Sequence, residues 1–112
     1  MKYVIAIIQP SKLDAVRTTL AELGIAGITV SEVQGYGRQQ GKTAMYRGAE
    51  YEINFLPKIK IEIAIEAKDE AAILSAIQSA SETGRIGDGK IFVIDLKQAL
   101  RIRTGELGKE AL

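Results

Sequence analysis

The fold of this 112-residue chain is decided by residues 58–67, KIKIEIAIEA, in which polar and apolar side chains alternate. Successive side chains of a strand point to opposite faces, so the isoleucines of this stretch share one face. They are Ile59, Ile61, Ile63 and Ile65. The other face carries charges, and Ala64 is the only apolar residue on it. The pattern predicts a strand with one face buried in a core.

The residues before this strand predict a strand, a helix and another strand. Residues 1–9, MKYVIAIIQ, are rich in Val and Ile, as in a central strand. Leucine and valine then recur at helical spacing from Leu13 to Leu23. Ser11 and Asp14 have the spacing of a capping box at the helix start, and Gly24 is placed to end the helix. Residues 25–37 return to strand-like, β-branched content.

The second half of the chain repeats this order. The strand at 58–67 precedes a helix from about Asp69 to Ser81, and residues 91–96, IFVIDL, form the last strand. Two β-α-β units predict a single α+β domain over residues 1–112 with the ferredoxin-like βαββαβ fold. Its four strands would form an antiparallel sheet with both helices on one face. Nothing in one chain would cover the other face, so the pattern predicts an oligomer.

A long loop separates the two units, between the second and third strands. Residues 38–57, RQQGKTAMYRGAEYEINFLP, show no sustained periodicity, and loops of this length are usually functional or disordered. Aromatic and arginine side chains within it favour an element that binds a partner over an inert hairpin tip. A polar tail begins at about residue 104 and runs to 112.

The composition excludes several classes of function. A net charge of +1 argues against a general nucleic-acid binder, which needs a basic excess. The chain has neither Cys nor His, so disulfides, thiolate chemistry and the usual zinc and serine-hydrolase sites are not expected. No signal peptide or membrane span is recognisable, which predicts a cytoplasmic protein.

Residues 83–90, TGRIGDGK, resemble a phosphate-binding loop at first sight. Gly84, Gly89 and Lys90 have most of the Walker A spacing, but Ile91 replaces the Ser or Thr that would hold Mg²⁺. A Walker A loop also leads from a strand into a helix, whereas this one leads from a helix into a strand. Its glycines could instead form a nest of backbone N–H groups for an anion, or only a turn.

The triplet R-I-R at residues 101–103 favours the anion. These residues are predicted to form a strand, on which Arg101 and Arg103 alternate, so both guanidinium groups point to the same side and suit a polyphosphate. An edge strand protected by charge is the alternative for this triplet alone. Together with the glycine loop and Lys90, the two arginines favour a nucleotide or another polyphosphate.

Four stretches make the chain resemble the PII nitrogen-regulatory signal-transduction proteins over nearly its whole length. They are KLDAVRTTLAELGIAGITVSEVQGYGRQ at 12–39, YRGAEYEINFLPKIKIEI at 46–63, TGRIGDGKIFVIDL at 83–96 and RIRTGE at 101–106. The resemblance implies a homotrimer of ferredoxin-like subunits that binds ATP or ADP in clefts between neighbours. The implied nucleotide-binding residues are Thr29, Gly37, Arg38, Gln39, Ala64, Gly87, Asp88, Gly89, Lys90, Arg101, Ile102 and Arg103.

The resemblance also implies a second ligand, 2-oxoglutarate, bound beside Mg²⁺-ATP. The side-chain amide of Gln39 would be the protein ligand of Mg²⁺, and Lys58 would pair with the distal carboxylate. The full implied set is Gly37, Gln39, Gly41, Lys58 and Gly87. Read without the resemblance, Lys58 is a solvated charge at the start of a strand.

Two positions depart from many relatives, which carry a basic residue where this chain has Gln9 and Gln40. A dianion that meets fewer cations is bound less tightly, so we expect weakened or altered 2-oxoglutarate sensing. In the loop, Tyr51 matches the tyrosine that is uridylylated or adenylylated in some bacterial members. Ala49 replaces a serine that other members phosphorylate.

The resemblance implies regulation by ligand-dependent loop conformation and not catalysis. Targets in the family include ammonium transporters, which bring the protein to a membrane only peripherally, and nucleotidyl-transferases that control glutamine synthetase. One alternative is an NTPase, but Asp88 is the only carboxylate in the glycine loop at 83–90 that could act as a general base. Another alternative is a PII-like sensor with a different second ligand or none. Slow ATP hydrolysis is the one activity left open. An RNA-binding module fits poorly, because aromatic residues make up only 5% of the chain.

Overall fold

The computed structural model describes residues 1–25, 27–36, 43–46, 49–52 and 55–112. Six strands and two α-helices are present among them: β1 (Lys2–Ile8), α1 (Leu13–Glu22), β2 (Thr29–Tyr36), β3 (Thr43–Tyr46), β4 (Ala49–Glu52), β5 (Phe55–Ile65), α2 (Glu70–Ser81) and β6 (Gly89–Asp95). Short 3-10 turns lie at Pro10–Lys12, Ala67–Asp69 and Gly108–Ala111. None of the helices in this described part is long and apolar enough to cross a membrane.

The main sheet confirms the ferredoxin-like fold. Its strands lie in the order β2-β5-β1-β6, and every neighbouring pair is antiparallel. The two central strands are the two stretches with the strongest apolar patterning, β1 and β5. In this register Ile8 of β1 lies opposite both Ile59 of β5 and Gly89 of β6. The start of β6 and the start of the isoleucine stretch therefore meet at the same end of the sheet.

The core lies between this sheet and the two helices. The isoleucine face of β5 is buried as predicted, and β1 adds Val4, Ala6 and Ile8. Val16 and Leu20 of α1 and Ile73 and Ile77 of α2 close the core from the helix side. Burying one such side chain contributes about 1.5–3 kcal/mol, so this layer supplies most of the favourable energy of folding.

The predicted capping box is wrong, whereas the glycine at the other end of the same helix is confirmed. A 3-10 turn from Pro10 to Lys12 precedes α1, and the residue before the helix, Lys12, makes no side-chain capping bond. Proline fixes φ for such a turn, and the N–H of Lys12 then donates to the Gln9 carbonyl at 3.0 Å. Gly24 has φ of 83°, the left-handed conformation that ends a helix.

The second face of the sheet has no covering layer within the described residues. Phe92 and Ile94 of β6 are 49% and 51% exposed on it, beside Tyr3 and Ile5 of β1. Hydrogen bonding joins the Tyr3 hydroxyl to the Glu62 carboxylate, and Lys60 pairs with Glu62 at 3.3 Å. Apolar surface of this kind is typical of a protein interface, so the oligomer stays a prediction with structural support.

The long loop is shorter than its predicted limits of 38–57. β5 already begins at Phe55, where it pairs with Tyr36 at the end of β2. Within the loop, β3 and β4 form a separate two-stranded antiparallel ladder in which Tyr51 lies opposite Ala44. Short apolar and polar runs that match neither period hid this ladder from the sequence analysis.

Candidate functional site

The glycine loop between α2 and β6 is closed by its own aspartate. Oδ2 of Asp88 accepts hydrogen bonds from the N–H groups of Thr83 at 2.7 Å and Gly84 at 2.9 Å. Oδ1 accepts from the Thr83 hydroxyl at 2.5 Å. These bonds, led by the one from the Thr83 hydroxyl, hold the pKa of Asp88 below its ordinary value of 3.8. The carboxylate is therefore engaged in shaping the loop, and Thr83 is a partner that the sequence analysis missed.

Glycine is required where the loop enters β6. The φ angles of Gly87 and Gly89 are 105° and 107°, in the region that side chains rarely adopt. A Cβ atom on Gly89 would lie 1.7 Å from the carbonyl oxygen of Ile7 in β1. The loop backbone is thus pressed against β1, which fixes the place where its N–H groups stand.

Lys58 is buried and donates to the carbonyl of this loop, so it is not a solvated charge. The side chain of Lys58 extends from β5 to Gly87, and its Nζ lies 2.6 Å from the Gly87 carbonyl oxygen. Lys58 is only 7% exposed. No carboxylate within the described residues forms an ion pair with it. Burial lowers the pKa of Lys58, and the charge of Asp88 opposes that shift only in part. A buried cation with a neutral partner is a place for an anion.

Gln9 shares the same acceptor. Its side-chain Nε2 donates to the Gly87 carbonyl oxygen at 2.7 Å. The two donors come from β5 and from the end of β1, so they join the loop to both central strands. A neutral amide at position 9 leaves Lys58 as the only charged donor to this carbonyl among the described residues.

A cavity of about 460 Å³ lies behind the loop, between α2 and β6. Leu74, Ile77 and Ile91 form its apolar lining, and backbone and side-chain atoms of the loop complete it. The Ser81 hydroxyl beside it is buried and has no hydrogen-bond partner in the described structure. The loop is therefore packed less densely on its helix side than on the side where it contacts β1.

The predicted strand at residues 101–103 is wrong, because these residues form a turn. The N–H of Gly105 donates to the Arg101 carbonyl at 2.7 Å, and the N–H of Arg101 donates to the Glu106 carbonyl at 2.9 Å. Gly105 has φ of 74°, which lets the chain reverse there. The two guanidinium groups consequently differ: Arg101 pairs with Glu106, and Arg103 is exposed without an ion pair to any described residue. Ile102 between them is 95% exposed.

The predicted nucleotide residues fall into two groups at opposite ends of the sheet. The glycine loop, whose Gly87 carbonyl contacts Lys58, lies at one end, and Ala64 lies opposite Tyr3 at the other. The six residue-to-residue steps from Lys58 to Ala64 along β5 span about 20 Å of extended strand. Thr29, opposite Glu62, and the segment that leads to Arg101 after the end of β6 belong to the second group.

Several candidate residues lie outside the described part of the chain. Gly37, Arg38, Gln39, Gln40 and Gly41 are among them, and only the backbone of Tyr51 is described. The predicted role of Gln39 towards a metal therefore stays a prediction. Within the described ranges, no group of three or more potential metal-ligating side chains occurs.

Asp88 gives a pH-dependent test of this loop. The pKa of Asp88 is lower in the folded than in the unfolded chain. The stability that the ionised carboxylate gives the loop is therefore fully present above the unfolded pKa and is lost as the pH falls through the folded pKa. We expect the amides of Thr83 and Gly84 to be protected from hydrogen exchange at neutral pH and to lose that protection only when the pH falls below the ordinary Asp value of 3.8. The measurement is amide exchange by NMR over a pH series.

Asp88→Asn should remove this dependence, because a carboxamide cannot accept from all three donors and does not titrate. Asp95→Asn is the matched control, since Asp95 also has a lowered pKa but pairs with Lys2 away from the loop. Retention of the acid transition at Thr83 and Gly84 in the Asp88→Asn protein would show that another group closes the loop.

The fold and the loop define a small α+β domain in which a glycine loop lies against a buried ammonium. Comparison with known proteins gives its family. The model of the family described as Nitrogen regulatory protein P-II matches residues 1–106. The chain therefore belongs to the P-II family of nitrogen regulatory proteins.

Curated relatives match the chain from end to end. It is 56% identical to the Nitrogen regulatory protein P-II of Rhodospirillum rubrum, 55% identical to that of Azospirillum brasilense and 53% identical to that of Rhizobium meliloti. Each match extends over 112 residues and covers 100% of both chains. The two β-α-β units and the segments between them are thus shared with these proteins as one unit.

Proposed function

We propose that this chain is a homotrimeric cytoplasmic signal-transduction protein that senses ATP and ADP, together with 2-oxoglutarate, and regulates nitrogen-metabolism targets. The observation that carries the proposal is the buried Lys58, whose ammonium is 2.6 Å from the Gly87 carbonyl and has no carboxylate partner in the described structure. An uncompensated buried cation is costly unless an anion completes it. One subunit thus holds a cationic site joined directly to a glycine loop.

The glycine loop is the phosphate end of the proposed nucleotide site. The backbone at Gly87 and Gly89 has a positive φ that other residues rarely adopt, and Lys90 follows with a positive charge. Backbone N–H groups in such an arrangement form an anion-binding nest. Asp88 takes part through its backbone and by holding the loop, since its carboxylate is engaged with Thr83 and Gly84.

The separation of the two residue groups supports an assembly in which each nucleotide site lies between subunits. A single nucleotide does not bridge the roughly 20 Å along β5 from Ala64, the proposed adenine contact, to Lys58, which contacts the glycine loop at Gly87. In the proposed trimer, the loop end of one subunit would meet the Thr29 and Ala64 end of another. The exposed apolar side chains Phe92 and Ile94 on the uncovered sheet face provide surface for such an assembly.

The second ligand is 2-oxoglutarate, with its distal carboxylate on Lys58. Mg²⁺ held by the triphosphate would offer coordination positions to the 2-keto acid, and Gln39 would be the side-chain ligand. Oxygen ligands and phosphates suit this ion. At position 9 a further cation would strengthen binding of the 2-oxoglutarate dianion, but Gln9 is a neutral amide. This supports the alternative of a divergent sensor with another second ligand or none.

The proposed response to ligand binding is a change in the conformation of the long loop at residues 38–57 and not a chemical step. Each ligand state would favour a different arrangement of residues 38–57, and targets such as an ammonium transporter or a nucleotidyl-transferase would bind one arrangement. Tyr51 is the proposed site of nucleotidylation. Slow ATP hydrolysis would be incidental to this role.

Calorimetric titration tests the proposal in two steps on the full chain. Mg²⁺-ATP is titrated first, and 2-oxoglutarate is then titrated into the saturated protein, while sedimentation measures the oligomeric state. We expect ATP binding to a trimer and a second, weak isotherm. ATP binding without any 2-oxoglutarate heat would favour the alternative sensor, and no ATP binding would contradict the proposed function.

A further inference from the structure

Arg101 is already occupied by anionic and polar groups of its own tail. Nη1 of its guanidinium lies 3.4 Å from Oε1 of Glu106, and Nη2 donates to the Leu112 carbonyl oxygen at 3.1 Å. A guanidinium binds a phosphate best through two parallel N–H donors. Each terminal nitrogen of Arg101 already has one acceptor in this structure, so a phosphate competes with these groups for the guanidinium.

The backbone that carries the competing carboxylate is held in place by hydrogen bonds of the turn. The N–H of Arg101 donates to the carbonyl of Glu106, and Leu100 forms an antiparallel bridge with Leu107. The N–H of Gly108 contacts the carbonyl of Ala99 and the side-chain oxygen of Gln98, each at 2.9 Å. Because this closed turn places Glu106 opposite Arg101, the pairing costs less conformational entropy than a contact between two free side chains.

We infer that Glu106 is an internal competitor of the ligand phosphate for Arg101 and so sets the affinity for nucleotide. The inference rests on the proposed function, because it assigns Arg101 to a phosphate. Arg103 is exposed and has no ion pair among the described residues, whereas the charge of Arg101 is already partly neutralised by Glu106. The two arginines therefore have different roles, although they are two positions apart.

Neutralising Glu106 tests this competition. In Glu106→Gln the turn keeps its backbone hydrogen bonds, but the carboxylate no longer competes for the guanidinium. Partly exposed ion pairs are weak, so we expect Mg²⁺-ATP to bind about two- to fivefold more tightly, measured by calorimetry at low ionic strength. The gain should shrink as salt is added, because salt screens the pair that is being removed.

Glu110→Gln is the matched control. Glu110 lies in the same tail, forms no ion pair with a described residue, and gives the same change in net charge. The Glu110→Gln protein should bind Mg²⁺-ATP with the same affinity as the unaltered chain. Equal gains in both variants would mean that tail charge acts from a distance, which would overturn the inference.

A double variant separates competition from a change in the turn. Once Arg101 is replaced in Arg101→Ala, the additional change Glu106→Gln should bring no gain in ATP affinity. A gain that persists without Arg101 would overturn the inference while leaving the proposed function standing. If the unaltered chain and all variants fail to bind ATP, the proposed function and the inference fall together.

Discussion

Replacing Gly89 with alanine is expected to lower the free energy of unfolding by about 2–6 kcal/mol, from backbone strain plus overpacking. The new Cβ would lie 1.7 Å from the carbonyl oxygen of Ile7 and 2.8 Å from its carbon. Both are backbone atoms of a central strand, so no side chain can rotate away to make room. Single domains are stable by only about 5–15 kcal/mol in general, and the loss is correspondingly large.

Gly84→Ala isolates the strain from the clash. Gly84 has φ of 82°, but nothing lies within 4 Å of the place that a Cβ atom would take there, so alanine should cost only about 1–2 kcal/mol. Urea denaturation of the unaltered chain and the two variants measures both losses. If the two substitutions cost the same, β6 can shift away from β1, and the loop is not fixed in the way the structure indicates.

The sheet was predictable because its signals are local and repeated. The alternation from Ile59 to Ile65 specifies which face of β5 is buried. The Val- and Ile-rich pattern of β1 indicates a central strand, and β1 is indeed a central strand beside β5. A capping box is weaker evidence than this, since Ser11 would need the extended backbone of an N-cap residue but lies inside the 3-10 turn that begins at Pro10. The prediction failed where two local preferences competed and the proline fixed the outcome.

The site was harder to predict, because its contacts join residues that are distant in the sequence. Nothing near Lys58 indicates that it is buried, since its neighbours on the polar face of β5 are exposed or half-buried charges. Its burial depends on the Gly87 carbonyl, 29 residues further along the chain. The residues after β6 show the opposite error: R-I-R has the alternation of a strand, but Gly105 and the hydrogen bonds of the tail turn it back.

Lys58→Met should separate ligand binding from stability. Methionine is close in volume to the lysine stem, which packs with its Cγ 3.2 Å from the position of a Cβ on Gly35. The variant also removes a buried charge, and Gln9 still donates to the Gly87 carbonyl. We therefore expect the free energy of unfolding to stay within about 1.5 kcal/mol of the unaltered value, as measured in urea.

Binding of the second ligand should respond quite differently to the same substitution. Loss of a charge-assisted hydrogen bond costs about 1.5–3 kcal/mol, so 2-oxoglutarate should bind about tenfold to a hundredfold more weakly to the Mg²⁺-ATP complex. Lys68→Met is the control: Lys68 is exposed after β5 and its Nζ is 3.7 Å from Glu66. Calorimetry on both variants gives the comparison. Unchanged 2-oxoglutarate affinity in Lys58→Met would show that the buried ammonium serves the loop carbonyl alone, because the anion would then be bound without it.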